Sequence, residues 1–303
     1  MKAYRKSDYF GYVWMLPALI LICVFCIYPA GSALVHSFTN WPMANEAGGA
    51  TSAVTTWAGL DNFIRLFNDN IFWKSCVNLI ILLITGMIFG NVSALGLAEM
   101  LHKVKNRTSS NVYRFLFVIP MLVPGIVNML VWTEIVFRGT ASGLINTILA
   151  NFNVPPQGWY KQENQALLSM ILTGFPWVSG TSFLIYLAGL NNIPESVYEA
   201  LDLDGAGTWK RIFYIDLPLL KSQIKYFVMM GIIGGMQSFN MQLVVTSGGP
   251  NHATDVPGYY MYQKAFFSGE WGYASAIGFF LFIVTLIITV INNKFMKSTE
   301  EIA

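Results

Sequence analysis

Apolar residues run through this chain in long blocks, and polar residues gather between them. A helix needs about 20 consecutive, mostly apolar residues to cross the hydrocarbon of a bilayer. Six blocks reach that length, at about 11–37, 73–98, 114–137, 166–190, 223–246 and 272–292. No strand-type alternation and no tandem repeat interrupts them. The pattern predicts an all-α polytopic membrane protein with six transmembrane helices in a single domain, 1–303. The first block follows Lys2, Arg5 and Lys6 but runs past the core of a cleaved signal and holds Pro17 and Pro29, so it reads as a retained span. Gly59–Phe67 reads as a short amphipathic helix along the outer surface.

The longest polar interruption of the second half lies between the fourth and fifth blocks, at about 191–222. Asn191 and Asn192 are N-cap types, Pro194 suits a first turn and Glu195 suits the positive end of a helix. A helix to about Asp204 is expected, then a turn at Gly205 and a second short helix at about 207–214 before Pro218. Val197, Ala200 and Leu201 recur at helical spacing and form a small apolar face, rimmed by Glu199 and Asp202. Such a face serves either a protein partner or an ordinary solvated connection.

Composition agrees with the blocks. Hydrophobic residues make up 54% of the chain and charged residues 11%, against about 25% charged in soluble domains. A net charge of +2 makes no case for nucleic acid. With the N-terminus inside the cell, the inner segments hold Lys2, Arg5, Lys6, Lys103, Lys105, Arg107, Arg114, Lys210, Arg211, Lys221, Lys225, Lys294 and Lys297. Only Arg65, Lys74, Arg138, Lys161 and Lys264 are then outside, so both termini and the 191–222 stretch are predicted to be cytoplasmic. Trp41, Trp57, Trp73, Trp159, Tyr160, Tyr259, Tyr260, Tyr262 and Trp271 fall in or beside the outer connections, as an interfacial belt requires. Cys23, Cys26 and Cys76 lie in apolar runs, are odd in number, and read as small buried hydrophobes.

The blocks carry almost no charge. Glu99 and Glu134 fall at block ends and are expected to reach water or headgroups, which argues against ion-coupled transport. Uncharged polar residues are plentiful: Trp177, Ser179 and Ser182 in the fourth block, Gln237, Ser238 and Asn240 in the fifth. Two roles fit them. They either bond between helices, at about 0.6 kcal/mol each, or line a path for a neutral polyol. Gly86 and Gly90, like Gly231 and Gly235, have the spacing that lets helices approach closely. Pro120, Pro124 and Pro176 are expected to kink or break their helices. No phosphate loop, metal-ligand spacing or nucleophile–base pair appears, so no catalysis is expected in this chain.

One spacing is specific. Glu199-Ala200-Leu201, three residues, Gly205, nine residues, Ile215, one residue and Leu217-Pro218 resemble the E-A-A-x3-G-x9-I-x-L-P signature of membrane subunits of binding-protein-dependent ABC importers. Leu201, in place of Ala, is the one departure. "MLPALILICVFCIYPAGSALVHSF", "WAGLDNFIRLF", "TSGGPNHAT" and "YYMYQKAFFSGEWGYASAIG" are similar to the carbohydrate-uptake branch of that family. The resemblance implies a multi-pass permease of the bacterial cytoplasmic (inner) membrane, paired with a second homologous permease. It implies two cytoplasmic ATPase subunits that bind ATP and Mg, an extracytoplasmic solute-binding protein, and a mono- or oligosaccharide cargo. Glu199, Ala200, Leu201, Asp202 and Gly205 would then belong to a coupling helix that the ATPase grips. Without the resemblance, the residues also fit a nucleotide-independent carrier or channel for a neutral polar solute.

Overall fold

The computed structural model describes residues 6–41 and 55–295; Lys2, Arg5 and Lys297 lie outside them. In chain order the helices are α1 (Lys6–Ile22), α2 (Tyr28–His36), α3 (Asp61–Phe67), α4 (Asn70–His102), α5 (Arg107–Val118), α6 (Gly125–Val131) and α7 (Leu144–Ala150). There follow α8 (Glu163–Leu172), α9 (Gly180–Asn191), α10 (Glu195–Leu203), α11 (Thr208–Arg211), α12 (Leu217–Leu219), α13 (Lys221–Gln237), α14 (Pro257–Phe266) and α15 (Trp271–Phe295). The chain divides into two units: residues up to Asp69 with Met261–Ile283, and Asn70–Tyr260 with the residues after Ile283.

In the first unit, α1, a π-helical turn at Cys23–Ile27 and α2 follow without a break, and Tyr12–His36 is long and apolar enough to span a membrane. Trp14, Phe25 and Tyr28 stand exposed along it, as suits a helix that is apolar all round and solvated by lipid. Cys23 and Cys26 are exposed on the same rod, which corrects the expectation that they are buried; this stretch of the rod turns its apolar side chains outward. A two-residue strand β1 (Thr39–Asn40) pairs antiparallel with β2 (Thr56–Trp57). Helix α3 forms within the segment expected to be amphipathic. Its buried Asn62 donates to the carbonyls of Ser37 and Thr39, both at 3.0 Å, and so ties α3 to the end of α2. Arg65 of α3 pairs with Glu270 at 2.7 Å and lies over the Tyr273 ring, whose hydroxyl donates to Asp69 at 2.7 Å.

The second unit is organised on α4. Ala94, Ala98 and Leu101 of α4 form a buried cluster with Phe183, Tyr186, Leu187 and Leu190 of α9 and with Leu220. Alanine on α4 leaves room for the aromatic side chains of α9, and Tyr186 donates to Asn91 Oδ1 at 2.7 Å. Helix α13 meets α4 at glycines: a methyl group on Gly231 would lie 3.0 Å from Met87, and one on Gly235 would lie 3.2 Å from Leu83. The expected close approach holds for this pair. It fails for Gly86 and Gly90, which face open space.

Among the described residues, four helical segments are apolar and long enough to span: Tyr12–His36, Asn70–His102, Lys221–Thr246 and Trp271–Lys294. The third and fourth predicted spans are not straight helices. Arg107–Leu122 and Gly125–Val136 meet at 90°. Pro124 forces Val123 into extended backbone (φ −78, ψ 126) and turns the corner. The fourth block ends its first helix at Leu172 and resumes at Gly180. Gly174 (φ +85) and Trp177 (φ +55) hold the interval in left-handed backbone, which no helix ladder can cross. A shorter break opens in the fifth span, where Ser238 is extended (φ −83, ψ 128) beyond α13.

Candidate functional site

Segment 191–222 is built from its backbone outward. Helix α10 starts at Glu195, with Pro194 rather than an asparagine at its N-cap; Asn192 instead closes the C-terminus of α9. At the other end Gly205 adopts φ +65. Its N–H bonds the Asp202 carbonyl at 3.1 Å, while the Ala206 N–H bonds Leu201 at 3.3 Å. This is the Schellman closure that a glycine in left-handed backbone permits. Helix α11 then leads through a π-helical turn at Ile212–Asp216 into α12.

Glu199, Ala200, Asp202 and Gly205 are exposed, while Leu201 and Val197 are half-buried. The five motif residues therefore lie together on α10 and its turn, but the expected apolar face turns partly inward. The outward apolar surface comes from residues that helical periodicity did not single out: Leu203 (89% exposed), Trp209 (73%) and Tyr214 (76%), with Phe213 beside them. Trp209 and Phe213 rings stack at 6.2 Å. Large apolar groups this exposed on a polar segment mark a contact surface.

Beneath that surface lies an ionic cluster. Arg211 Nη2 donates to Glu99 Oε2 at 2.6 Å, and Arg211 Nε donates to Asp216 Oδ2 at 2.9 Å. The Tyr198 hydroxyl donates to Asp216 Oδ1 at 2.9 Å, and the guanidinium sits 5.3 Å from the Tyr198 ring centre. Asp216 is fully buried and Glu99 is 6% exposed. Glu99 does not reach water or headgroups as a carboxylate at a span end was expected to; Arg211 captures it instead. Burial works against the Arg211 charge, but Asp216 and Glu99 outweigh it and hold the guanidinium charged. Burial, reinforced by Asp216, pushes the Tyr198 phenol well above its ordinary value. His102, at the end of α4, bonds Asn191 at 3.0 Å and lies beside Tyr198.

The residues proposed for a path fall at the helix breaks. Trp177 stacks on Phe89 (4.5 Å between centroids, 14° between planes) and donates to the Ile171 carbonyl at 2.8 Å. Ser179 caps α9, accepting from the Ser182 N–H at 3.4 Å. These contacts give Trp177 and Ser179 structural work inside the chain. Gln237, Ser238 and Asn240 are exposed at the break in the fifth span. Among the aromatic residues assigned to an interfacial belt, Tyr160, Tyr259 and Tyr260 are buried instead. The Tyr160 hydroxyl shares a hydrogen bond with Thr173 at 2.6 Å, a partner that lets the ring leave the interface.

The stretch "TSGGPNHAT" is anchored from below. Asn78 of α4 donates to the Asp255 carbonyl at 3.0 Å, and Lys74 donates to the Asn251 carbonyl at 2.9 Å. Buried Asp255 accepts from or shares a proton with His252 Nδ1 at 2.5 Å. A methyl group on Gly248 (φ +78) would lie 1.7 Å from Asp255 Oδ1.

Comparison with known proteins gives a consistent result. The family described as "Binding-protein-dependent transport system inner membrane component" matches residues 86–300. A probable ABC transporter permease protein, YesP of Bacillus subtilis, is 31% identical over 97% of this chain and 92% of its own. The arabinooligosaccharides transport system permease protein AraP of the same organism is 29% identical over 95% of this chain and 88% of its own. A crystal structure of a bacterial ABC transporter involved in the import of the acidic polysaccharide alginate superimposes with a TM-score of 0.80 at 21% identity, covering 95% of both chains.

Proposed function

Since the chain belongs to the inner-membrane components of binding-protein-dependent transport systems, we propose that it is a permease subunit of an ATP-driven importer of a mono- or oligosaccharide. Membership makes it a multi-pass transport subunit of the cytoplasmic membrane rather than an enzyme, and dependence on a binding protein removes the stand-alone carrier from consideration. AraP, named for arabinooligosaccharides, supports the choice of cargo class. In this reading a second, similar permease completes the path and two ATPase subunits dock on the cytoplasmic side.

The observation that carries the reading is the knob at 195–216: a glycine-closed helical turn on a polar segment that leaves Leu203, Trp209 and Tyr214 exposed. Exposed apolar surface of that size is costly unless a partner covers it. Glu199, Ala200, Leu201, Asp202 and Gly205 form its motif-bearing side and make or shape the ATPase contact. ATP closes the ATPase pair; that state binds one arrangement of the spans better than the other, and the difference in affinity drives the exchange of inward-facing and outward-facing forms. Trp177, Ser179 and Ser182 shape the break in the fourth span, and the exposed side chains of Gln237, Ser238 and Asn240 at the break in the fifth offer a polar cargo hydrogen-bonding groups, as discontinuous helices do in other transporters.

Glu199→Lys and Gly205→Asp should leave membrane insertion intact and abolish ATP-driven uptake, measured with radiolabelled oligosaccharide in cells that retain the binding protein. Wild-type uptake by both variants would remove the knob from the mechanism.

A further inference from the structure

The ionic cluster under the knob does more than fill space. Its members come from separate elements: Glu99 from α4, Tyr198 from α10, Arg211 from α11 and Asp216 from the turn that follows. Glu99 and Arg211 are 112 residues apart, so their bond at 2.6 Å is a tertiary tie between the knob and a helix to which it is not covalently adjacent. Charge in a buried place is a poor source of stability, because apolar groups of similar volume hold a fold as well without the cost of desolvation. What a guanidinium fork supplies is direction: its two N–H groups fix Glu99 and Asp216 at set positions, which an apolar contact does not.

The helix it reaches is the one on which the second unit is organised. From Glu99 toward the N-terminus, α4 carries the cluster that packs α9, then the Met87 and Leu83 side chains that seat Gly231 and Gly235 of α13. The peptide chain alone would pass a displacement of the knob to α9 and α13, its covalent neighbours. The Arg211–Glu99 bond adds a direct route into α4. One oxygen of Glu99, Oε1, is buried without a hydrogen-bond partner. Other contacts between the end of α4 and the knob are the His102 ring beside Tyr198 and an exposed Lys103–Thr208 hydrogen bond at 3.5 Å; the Arg211–Glu99 bond is the short, buried and charged one, and so the directional one.

Resting on the proposed coupling role of the knob, we propose that Glu99 and Arg211 are positioning residues that transmit the knob's displacement to α4, so that the solute moved per ATP hydrolysed depends on their bond.

The test uses the full transporter, with both permeases, ATPase and binding protein, reconstituted in liposomes. ATP hydrolysis and solute uptake are measured on the same vesicles. Glu99→Gln, which keeps shape and loses charge, should retain the ATPase through purification and should lower solute transported per ATP about tenfold. Arg211→Lys should do the same, because one ammonium cannot reproduce the fork. The double variant should be no worse than either single one, since the two act as a unit. A wild-type ratio in Glu99→Gln overturns the proposal. So does loss of the ATPase from Glu99→Gln complexes that wild-type chains retain, because Glu99 would then only shape the docking surface. Where Glu99→Gln fails to reach the membrane, Glu99→Asp decides: it keeps the buried guanidinium paired but shortens the link by one methylene. A lowered ratio there supports the tie, and an unchanged ratio overturns it. Failure of the wild-type chain itself to retain an ATPase would sink the reading of the knob, an outcome distinct from all of these.

Discussion

Asp255 shows how much one side chain holds in place. Its main-chain carbonyl receives Asn78, its Oδ2 meets His252, and its Oδ1 is pressed against the α-carbon of Gly248. Burial pushes this carboxyl above the ordinary carboxylate range, although His252 and Lys74 pull the other way. In the folded chain the group therefore holds its proton at pH values where the unfolded chain has released it. Stability from this site is present at acid pH and falls as pH rises from about 4 through the folded value. Amide hydrogen exchange at Gly248–Thr254 should accelerate over that window in the wild type, beyond its intrinsic pH dependence, and Asp255→Asn should flatten the change. Equal slopes in the two proteins would refute the assignment. Gly205 makes the same kind of demand without a neighbour: nothing surrounds its α-carbon, so its constraint is φ +65 alone. An alanine there meets strain of about 1–2 kcal/mol but no clash.

Helix α4 and its partners illustrate which elements hydropathy makes visible. Gly235→Leu should drive a side chain into Leu83 and lower the thermal stability of the purified subunit, while Gly86→Leu, with open space around it, should leave the fold of the single chain unchanged; fluorescence-detected size exclusion after heating separates the two. The spacing of small residues is the same in both pairs, so spacing alone did not distinguish the seam from the free face. Long apolar helical segments coincide with the first, second, fifth and sixth blocks, the fifth despite its break at Ser238. The breaks in the third and fourth were not legible, since a 90° corner at Pro124 and a left-handed interval at Gly174–Trp177 change the backbone without changing hydropathy. Within segment 191–222 the motif and the turn at Gly205 could be read locally. Its ionic root could not: Glu99 looks like any carboxylate at a span end, and its cation is 112 positions away. Trp209 and Tyr214 are illegible for another reason: an aromatic residue on a four-residue helix or a π-helical turn carries no periodic signal of exposure.

For the molecule as a transport subunit, sidedness is the first thing to establish. The excess of Lys and Arg on alternate connections predicts that the knob and both termini face the cytoplasm. In a chain with Cys23, Cys26 and Cys76 replaced by Ser, a single cysteine at Asp204 should react with a membrane-impermeant maleimide only in inside-out vesicles. One at Asn151 should react only in right-side-out vesicles. The opposite pattern would invert the assembly proposed here. Much of the chain's apolar surface is shaped for hydrocarbon: Trp14, Phe25, Ile80, Val92 and Phe282 are all exposed on long helices. The break at Ser238 has a different consequence. Peptide groups released from a ladder offer donors and acceptors that survive any side-chain substitution other than proline. If the proposed path runs past this break, a corridor furnished partly by main chain would tolerate drift in its side chains, and relatives differing at 237–240 would keep the means to carry chemically similar freight.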